Sequence, residues 1–280
     1  MRPVVLGKFS RSISKRFEHT RIQEGYCLIC GSFGKLTQDH VPPQGSITIS
    51  KVEQRHVVEV IGQGISPVRG VASPNGSKFK TICSHCNSFH LGRNDDEVAR
   101  VNRELTHKIQ EYFSDINAIY RHVAVDVDAV KYSRAMAGHI LSATSVEECK
   151  HAPEPSAYYD PIKQFVLGDD DALDRSHDIY YWFYPFSRHF SAKSVAFRNA
   201  GHTAVLSILS FFPIAFMLTK KNEGTFPSHA RELRKTDTKL ILDLSSAGVS
   251  YSEFPFGGLE NNQIMLLHDS QAIVSYPIGQ

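Results

Sequence analysis

Cysteine is scarce in this sequence, five in 280 residues, and the number is odd. Four of the five fall in two Cys-x-x-Cys pairs and leave Cys149 alone. Together with the lack of a secretory signal, this argues against a disulfide framework and for a reducing, cytoplasmic compartment. Long apolar runs are lacking as well. The longest, Thr203 to Thr219, holds Pro213 and several serines and threonines and stops at Lys220 and Lys221. It is too short for a membrane span and predicts buried strands in a soluble protein, with no membrane partner. Charge of one sign is lacking overall, the net being +2, but the halves differ. Residues 1–120 hold 16 Lys or Arg against 11 Asp or Glu, and the remainder holds 15 against 18. The basic excess therefore sits at the amino-terminal end, where a polyanionic substrate would suit it.

What is present is concentrated between Cys27 and Asn87. Cys27-x-x-Cys30 is followed by Asp39-His40-Val41-Pro42-Pro43, then by Cys83-x-x-Cys86 with Asn87 directly behind. Two such cysteine pairs brought together make a four-thiolate tetrahedron, the usual cage for structural Zn2+. The pairs pin whatever lies between them. Asp, His and Asn converging on one point supply oxygen ligands and a base, a set suited to a harder ion such as Mg2+ or Mn2+. Two metals with different work are expected.

In chain order, residues 1–24 form a basic arm in which Phe9, Ile13 and Phe17 are spaced by four, predicting a short helix with a basic outer face. Arg11, Lys15 and Arg16 on that face are candidates to lie along a phosphate backbone. Gly31, Ser32 and Gly34 supply a tight turn after the first pair. Residues 44–80 read as a β insert, with a hairpin or two projecting from the knuckles. Asn94-x-x-Glu97 resembles a capping box, with Asp95 and Asp96 in the first turn. Val98, Val101, Leu105, Ile109, Tyr112, Phe113, Ile116 and Ile119 then recur at helical spacing, and a second helix is expected over 127–143. Pro153, Pro155, Pro161 and Asp169 to Asp171 mark a boundary. Beyond it, β-rich runs at 179–186, 193–197, 204–212, 214–218, 239–244 and 263–268 carry no catalytic motif. The expected class is α+β, divided into the arm (1–24), a metal module (25–95), a helical brace (96–150) and a β-rich domain (151–280).

The order Cys-x-x-Cys, Asp-His, Cys-x-x-Cys-Asn resembles the HNH, or ββα-metal, nucleases, in particular the zinc-containing branch that includes phage recombination endonucleases. The resemblance spans roughly residues 24–95. It implies that Cys27, Cys30, Cys83 and Cys86 hold the zinc, that Asp39 and Asn87 hold the catalytic divalent ion with His90 as a further candidate, and that His40 is the general base. Lys78, Lys80 and Arg93 flank the site as phosphate contacts. The family usually carries an Asn shortly before the second knuckle. Here that stretch is Lys78 to Ile82, and Asn75 is the nearest candidate. The implied activity is endonucleolytic hydrolysis of nucleic acid, more readily DNA, leaving 5′-phosphate and 3′-hydroxyl ends, in a setting of bacterial or phage restriction or antiviral defence. Two other readings stay open. One is a non-catalytic zinc module that binds nucleic acid or a partner protein. The other is a nuclease subunit silent until a ligand or protein partner meets the carboxy-terminal domain; self-association into a homo-oligomer is open as well.

Overall fold

Short β-branched and aromatic runs, broken by glycine, proline or charged pairs, build most of this chain. The structure is a computed structural model and describes residues 13–18, 22–46, 51–60, 68–115, 120–199, 202–223, 226–253, 262–265 and 271–278. Arg11 and the arm up to residue 12, Ile47 to Ile49, and Ile116 and Ile119 lie outside the described residues.

The strands of the amino-terminal half are β1 (Glu24–Tyr26), β2 (Phe33–Val41), β3 (Lys51–His56), β4 (Val71–Pro74), β5 (Ser77–Cys83) and β6 (His122–Asp126). Those of the remainder are β7 (His177–Phe183), β8 (His189–Asn199), β9 (His202–Phe211), β10 (Ile214–Lys220), β11 (Arg231–Glu232), β12 (Lys239–Asp243), β13 (Asn262–Met265) and β14 (Ala272–Pro277). The helices are α1 (Lys15–Glu18), α2 (Gly92–Ser114), α3 (Ala129–Ser142), α4 (Tyr159–Leu167) and α5 (Ser246–Val249). A π-helical turn, Cys86–Leu91, runs directly into α2. The fold is mixed, with a β-rich carboxy-terminal part, as the pattern of runs led one to expect.

The small sheet has the order β1-β2-β5 and the large one β11-β7-β10-β9-β8-β14-β3-β4, with β13 beside the far end of β8. The apolar run at 203–219 is the β9–β10 hairpin, turning at Phe212 and Pro213, and both strands are buried at nearly every position. Burial on both faces is why it carries no alternation. No described helix is long and apolar enough to cross a membrane.

The insert departs from expectation. Instead of projecting from the knuckles, β3 and β4 form the edge of the large sheet, β3 pairing with β14 from Ile273↔His56 to Pro277↔Val52. Likewise β6 pairs with β12, so strands from both sides of residue 150 share two sheets. β4 and β5, which belong to different sheets, are joined by a tight turn at Asn75 and Gly76, both at positive φ. Asn75 is thus a turn residue.

α2 buries Val98, Val101, Leu105 and Ile109, the stripe expected from the sequence, while Phe113 is exposed. Its amino end carries no capping box. The helix is already running at Asn94, whose side chain donates to the His90 carbonyl, and Glu97 instead binds Arg100 and the Asp128 backbone N–H. α3 begins at the cap Asp128, which accepts from the Lys131 N–H, and lies almost wholly buried between the sheets. Tyr132, Met136, Ile140 and Leu141 belong to one continuous core that reaches from Cys27 and Cys86 to Phe216 and Ile273. At Gly138 a methyl group would collide with Leu91, so α3 and the second knuckle meet at glycine distance. α4 was not anticipated, because its proline suggested a loop. Pro161 sits in the first turn, where its missing N–H costs nothing. Asp170 and Asp171 are ion-paired with Arg134 and Lys235, so the acidic triplet is not simply solvated.

Burial also fixes a pH dependence. His177 and His189 are buried, and desolvation pulls each imidazole down to about 4. Folded and unfolded chains are equally neutral there above about 6.5; below it only the unfolded chain takes up these protons, so stability falls as pH drops from about 6.5 towards 4. Urea melts at pH 7 and 5 should differ by about 2 kcal/mol for each histidine, and His189→Gln should flatten its share of the slope. An unchanged slope in that variant would contradict the assignment.

Candidate metal centre and flanking residues

The first knuckle closes because Gly31, at φ +74°, lets its N–H return to the Cys27 carbonyl at 2.8 Å, while the Cys27 N–H reaches the Ser32 carbonyl at 3.0 Å. The second joins the end of β5 to the π-helical turn through Cys83 and Cys86. All four sulfurs lie within 4.8 Å of one another, and Cys30 Sγ and Cys83 Sγ are 3.8 Å apart. A tetrahedron of Zn–S bonds about 2.3 Å long has edges of about 3.8 Å, so the cage fits such an ion. Backbone N–H groups of Cys83 and Cys86 point at Cys27 Sγ and Cys83 Sγ, at 3.3 and 3.5 Å. The Cys86 thiol donating to Cys27, with the backbone N–H groups of Cys30, Cys83 and Ile29 and against the cost of burial, draws Cys27 down to about 5. Burial pushes Cys83 up. Four thiolates this close repel one another, and a structural dication such as zinc makes them compatible. All five cysteines are free of disulfides; Cys149, the odd one, is buried against Leu28 and Leu36, and burial pushes its thiol up to about 12.

Beside the cage, β2 presents Asp39 and His40 on opposite faces. Regular alternation from buried Leu36 would turn His40 inward, but the pairing with β5 slips between Thr37↔Ile82 and Asp39↔Phe79. One residue of β2 there faces two of β5, which reverses the phase. Asp39 therefore points into the core, only 3% exposed, and His40 stays half-buried opposite Lys78. Asp39 is no open surface ligand. Its Oδ2 accepts from Ser142 Oγ at 2.6 Å and lies 3.0 Å from His139 Nδ1. The other ring nitrogen of His139 lies 2.9 Å from Asp95 Oδ1. Burial alone would hold His139 low, but the charges and hydrogen bonds of the two aspartates outweigh it and lift the imidazole to about 10. A carboxylate–imidazolium–carboxylate row thus runs from β2 through α3 to α2. Asp39 Oδ1 makes no hydrogen bond among the described residues.

Asn87 is drawn to the same strand. Its Nδ2 donates to Thr37 Oγ1 at 3.1 Å and to the Gln38 carbonyl at 2.9 Å, so the carboxamide is clamped one residue from Asp39 with Oδ1 unpaired among the described residues. His40 is held below its ordinary value by burial and by the Lys78 charge, with Asp39 opposing, and so stays neutral near pH 7. His90 sits edge-on to His85 and to the exposed Phe89, over which Arg93 stacks at 3.6 Å. Lys80 donates to Gln23 Oε1 at 2.8 Å, and Lys15 is exposed on α1. Arg16, expected on an open basic face, is instead 1% exposed; its guanidinium lies 4.6 Å over the Phe79 ring and donates from Nη2 to the Lys78 carbonyl at 2.9 Å. Ser14 and the Lys15 backbone N–H bind Glu59, which turns the Arg16 side chain inward.

His139 and Ser142 carried no signal in the sequence, since a polar residue inside an apolar helical run reads as an ordinary core residue. Comparison with protein-family models, with curated proteins and with solved structures gives no match to this chain.

Proposed function

We propose that this protein is a metal-dependent endonuclease of the HNH kind, acting on DNA, with zinc in the four-cysteine cage and Mg2+ or Mn2+ at Asp39 and Asn87. The observation that carries the reading is Asp39: one carboxylate oxygen is fixed by His139 and Ser142, the other accepts no hydrogen bond among the described residues, and the Asn87 carboxamide is clamped to Thr37 and Gln38, the two residues before Asp39 in β2. These are hard oxygen donors, which suits either ion. The bound cation would supply positive charge to the leaving 3′ oxygen and the strained phosphate. His40, neutral and on the opposite face of β2, takes a proton from water. His139 and Ser142 orient Asp39, as groups behind a metal ligand commonly do. Asn87 holds the site to the strand without adding a second negative charge.

The test is nicking of supercoiled plasmid with Mg2+ or Mn2+, beside His40→Ala. The variant should lose roughly 10²- to 10⁴-fold in rate while keeping its fold and zinc. Equal nicking by the two proteins would refute the assignment. The burial of Asp39 favours one variant of this reading, a nuclease held silent until a ligand or partner opens the site. Wild type would then be inactive on plasmid alone and become active, through His40, when that partner is added.

A further inference from the structure

A cavity of about 210 Å3 lies where the small sheet meets the edge of the large one, lined by Arg16 from α1, Gln38 from β2, Gln54 from β3, Ser73 from β4, and Lys78 and Lys80 from β5. Its chemistry is one-sided. Three of these residues are cationic, and none of the described lining residues is Asp or Glu. Arg16 Nε and Nη1, Gln54 Nε2 and Ser73 Oγ are all buried without a hydrogen-bond partner among the described residues. Arg16 and Gln54 are each 1% exposed, so these are donors withdrawn from water and left unsatisfied, an arrangement that costs free energy unless something accepts from them. Among the described residues no carboxylate pairs with the guanidinium. Burial is the one influence on it, pulling it down to about 10, with no carboxylate opposing.

We propose that this cavity binds a phosphate group. Two guanidinium N–H groups, a carboxamide N–H and a hydroxyl supply four donors, and a tetrahedral oxyanion presents acceptors in several directions at once. Lys78 and Lys80 at the half-buried rim provide the remaining charge, and Lys80 keeps donors to spare beyond its bond to Gln23. The volume holds a phosphate with part of an attached sugar, so a free phosphate, a mononucleotide or a phosphorylated strand end share the required chemistry. The inference does not rest on the nuclease reading, because none of the donors belongs to the set Asp39, His40 and Asn87. The two sites are nonetheless neighbours. Gln38, whose side chain lines the cavity, gives its carbonyl to Asn87, and Lys78 pairs with His40 across the strands. If both readings hold, the cavity takes a phosphate adjoining the cleaved one.

The experiment measures binding of inorganic phosphate by calorimetry at fixed ionic strength, with chloride as reference and no added divalent metal. A short oligonucleotide with and without a 5′-phosphate forms the second arm. Wild type should show saturable phosphate binding. Arg16→Met should weaken it at least about tenfold, and so should the pair Gln54→Leu with Ser73→Val, which leaves Arg16 and its packing in place. If phosphate competes with the 5′-phosphorylated oligonucleotide and the unphosphorylated one binds less tightly, the occupant is a strand end; if only the free ion binds, it is a small phosphate compound. Either result supports the cavity. Phosphate behaving as chloride while the 5′-phosphate adds nothing to oligonucleotide binding would overturn it, as would folded variants that bind like wild type. Loss of plasmid cleavage alone would leave it standing.

Discussion

Cys83→Ser should empty the four-cysteine cage and melt the amino-terminal half of the protein. Structural zinc in small modules contributes an apparent binding free energy on the order of 10 kcal/mol, and a serine hydroxyl does not ionise to replace a thiolate. The damage should spread here, because Cys27 and Cys86 sit in the same continuous core as α2, α3 and the large sheet. Metal analysis should find the zinc gone, and the thermal transition should fall and broaden. A chelator should act on wild type in the same direction. Wild-type zinc content and melting in the variant would show that the cage holds no structural metal.

His139→Leu is expected to cost about 3–5 kcal/mol, the usual penalty for leaving one partner of a buried ion pair uncompensated. Here the stranded partner is Asp39, buried with Ser142 alone among the described residues left to bond it. Adding Asp39→Leu should recover part of the loss, because the double variant no longer buries a lone charge. Urea melts of the two single variants and the double one make the cycle; strict additivity would show that the pair is not coupled. The same geometry alters how Asp39 should be probed. Asp39→Ala removes both the proposed metal ligand and a counter-charge, whereas Asp39→Asn keeps an oxygen facing Ser142 and His139 and tests the proposed ligand more cleanly.

The knuckles, the Asp39-His40 step and Asn87 were legible because their signal is local: residue type and spacing within one stretch suffice to place them. So was the apolar face of α2, whose stripe repeats at helical spacing through Ile109. What stayed hidden depends on distant partners. The β-rich character of the insert was recognisable, though not where its strands lie, and that β3 joins β14 follows from a pairing between segments near residues 54 and 275, which no local pattern encodes. The slip in the β2–β5 ladder that decides where Asp39 and His40 point comes from one surplus residue on β5. Arg16 reads as a surface charge in any window of its neighbours, and only the Glu59 tether on its preceding residues turns it inward. His139 became part of a site only through carboxylates that lie 100 and 44 residues away in the chain.

The position of β14 between β8 and β3 has a consequence for how the protein is made. Ser77 on β5 bonds Ser275 on β14 at 2.7 Å, and 198 residues separate them. At roughly 5–20 residues per second, the ribosome takes about 10–40 s to deliver that partner after the insert has been synthesised. Until then β3 has an open edge and Gln54 lacks the sheet that frames it. The cysteine cage, complete within its own stretch, is free to close during translation, but the cavity wall beside it waits for the end of the described chain. A nascent chain would thus hold its metal-binding knuckles well before it held an assembled anion site, which delays any activity that needs both until the strands have met.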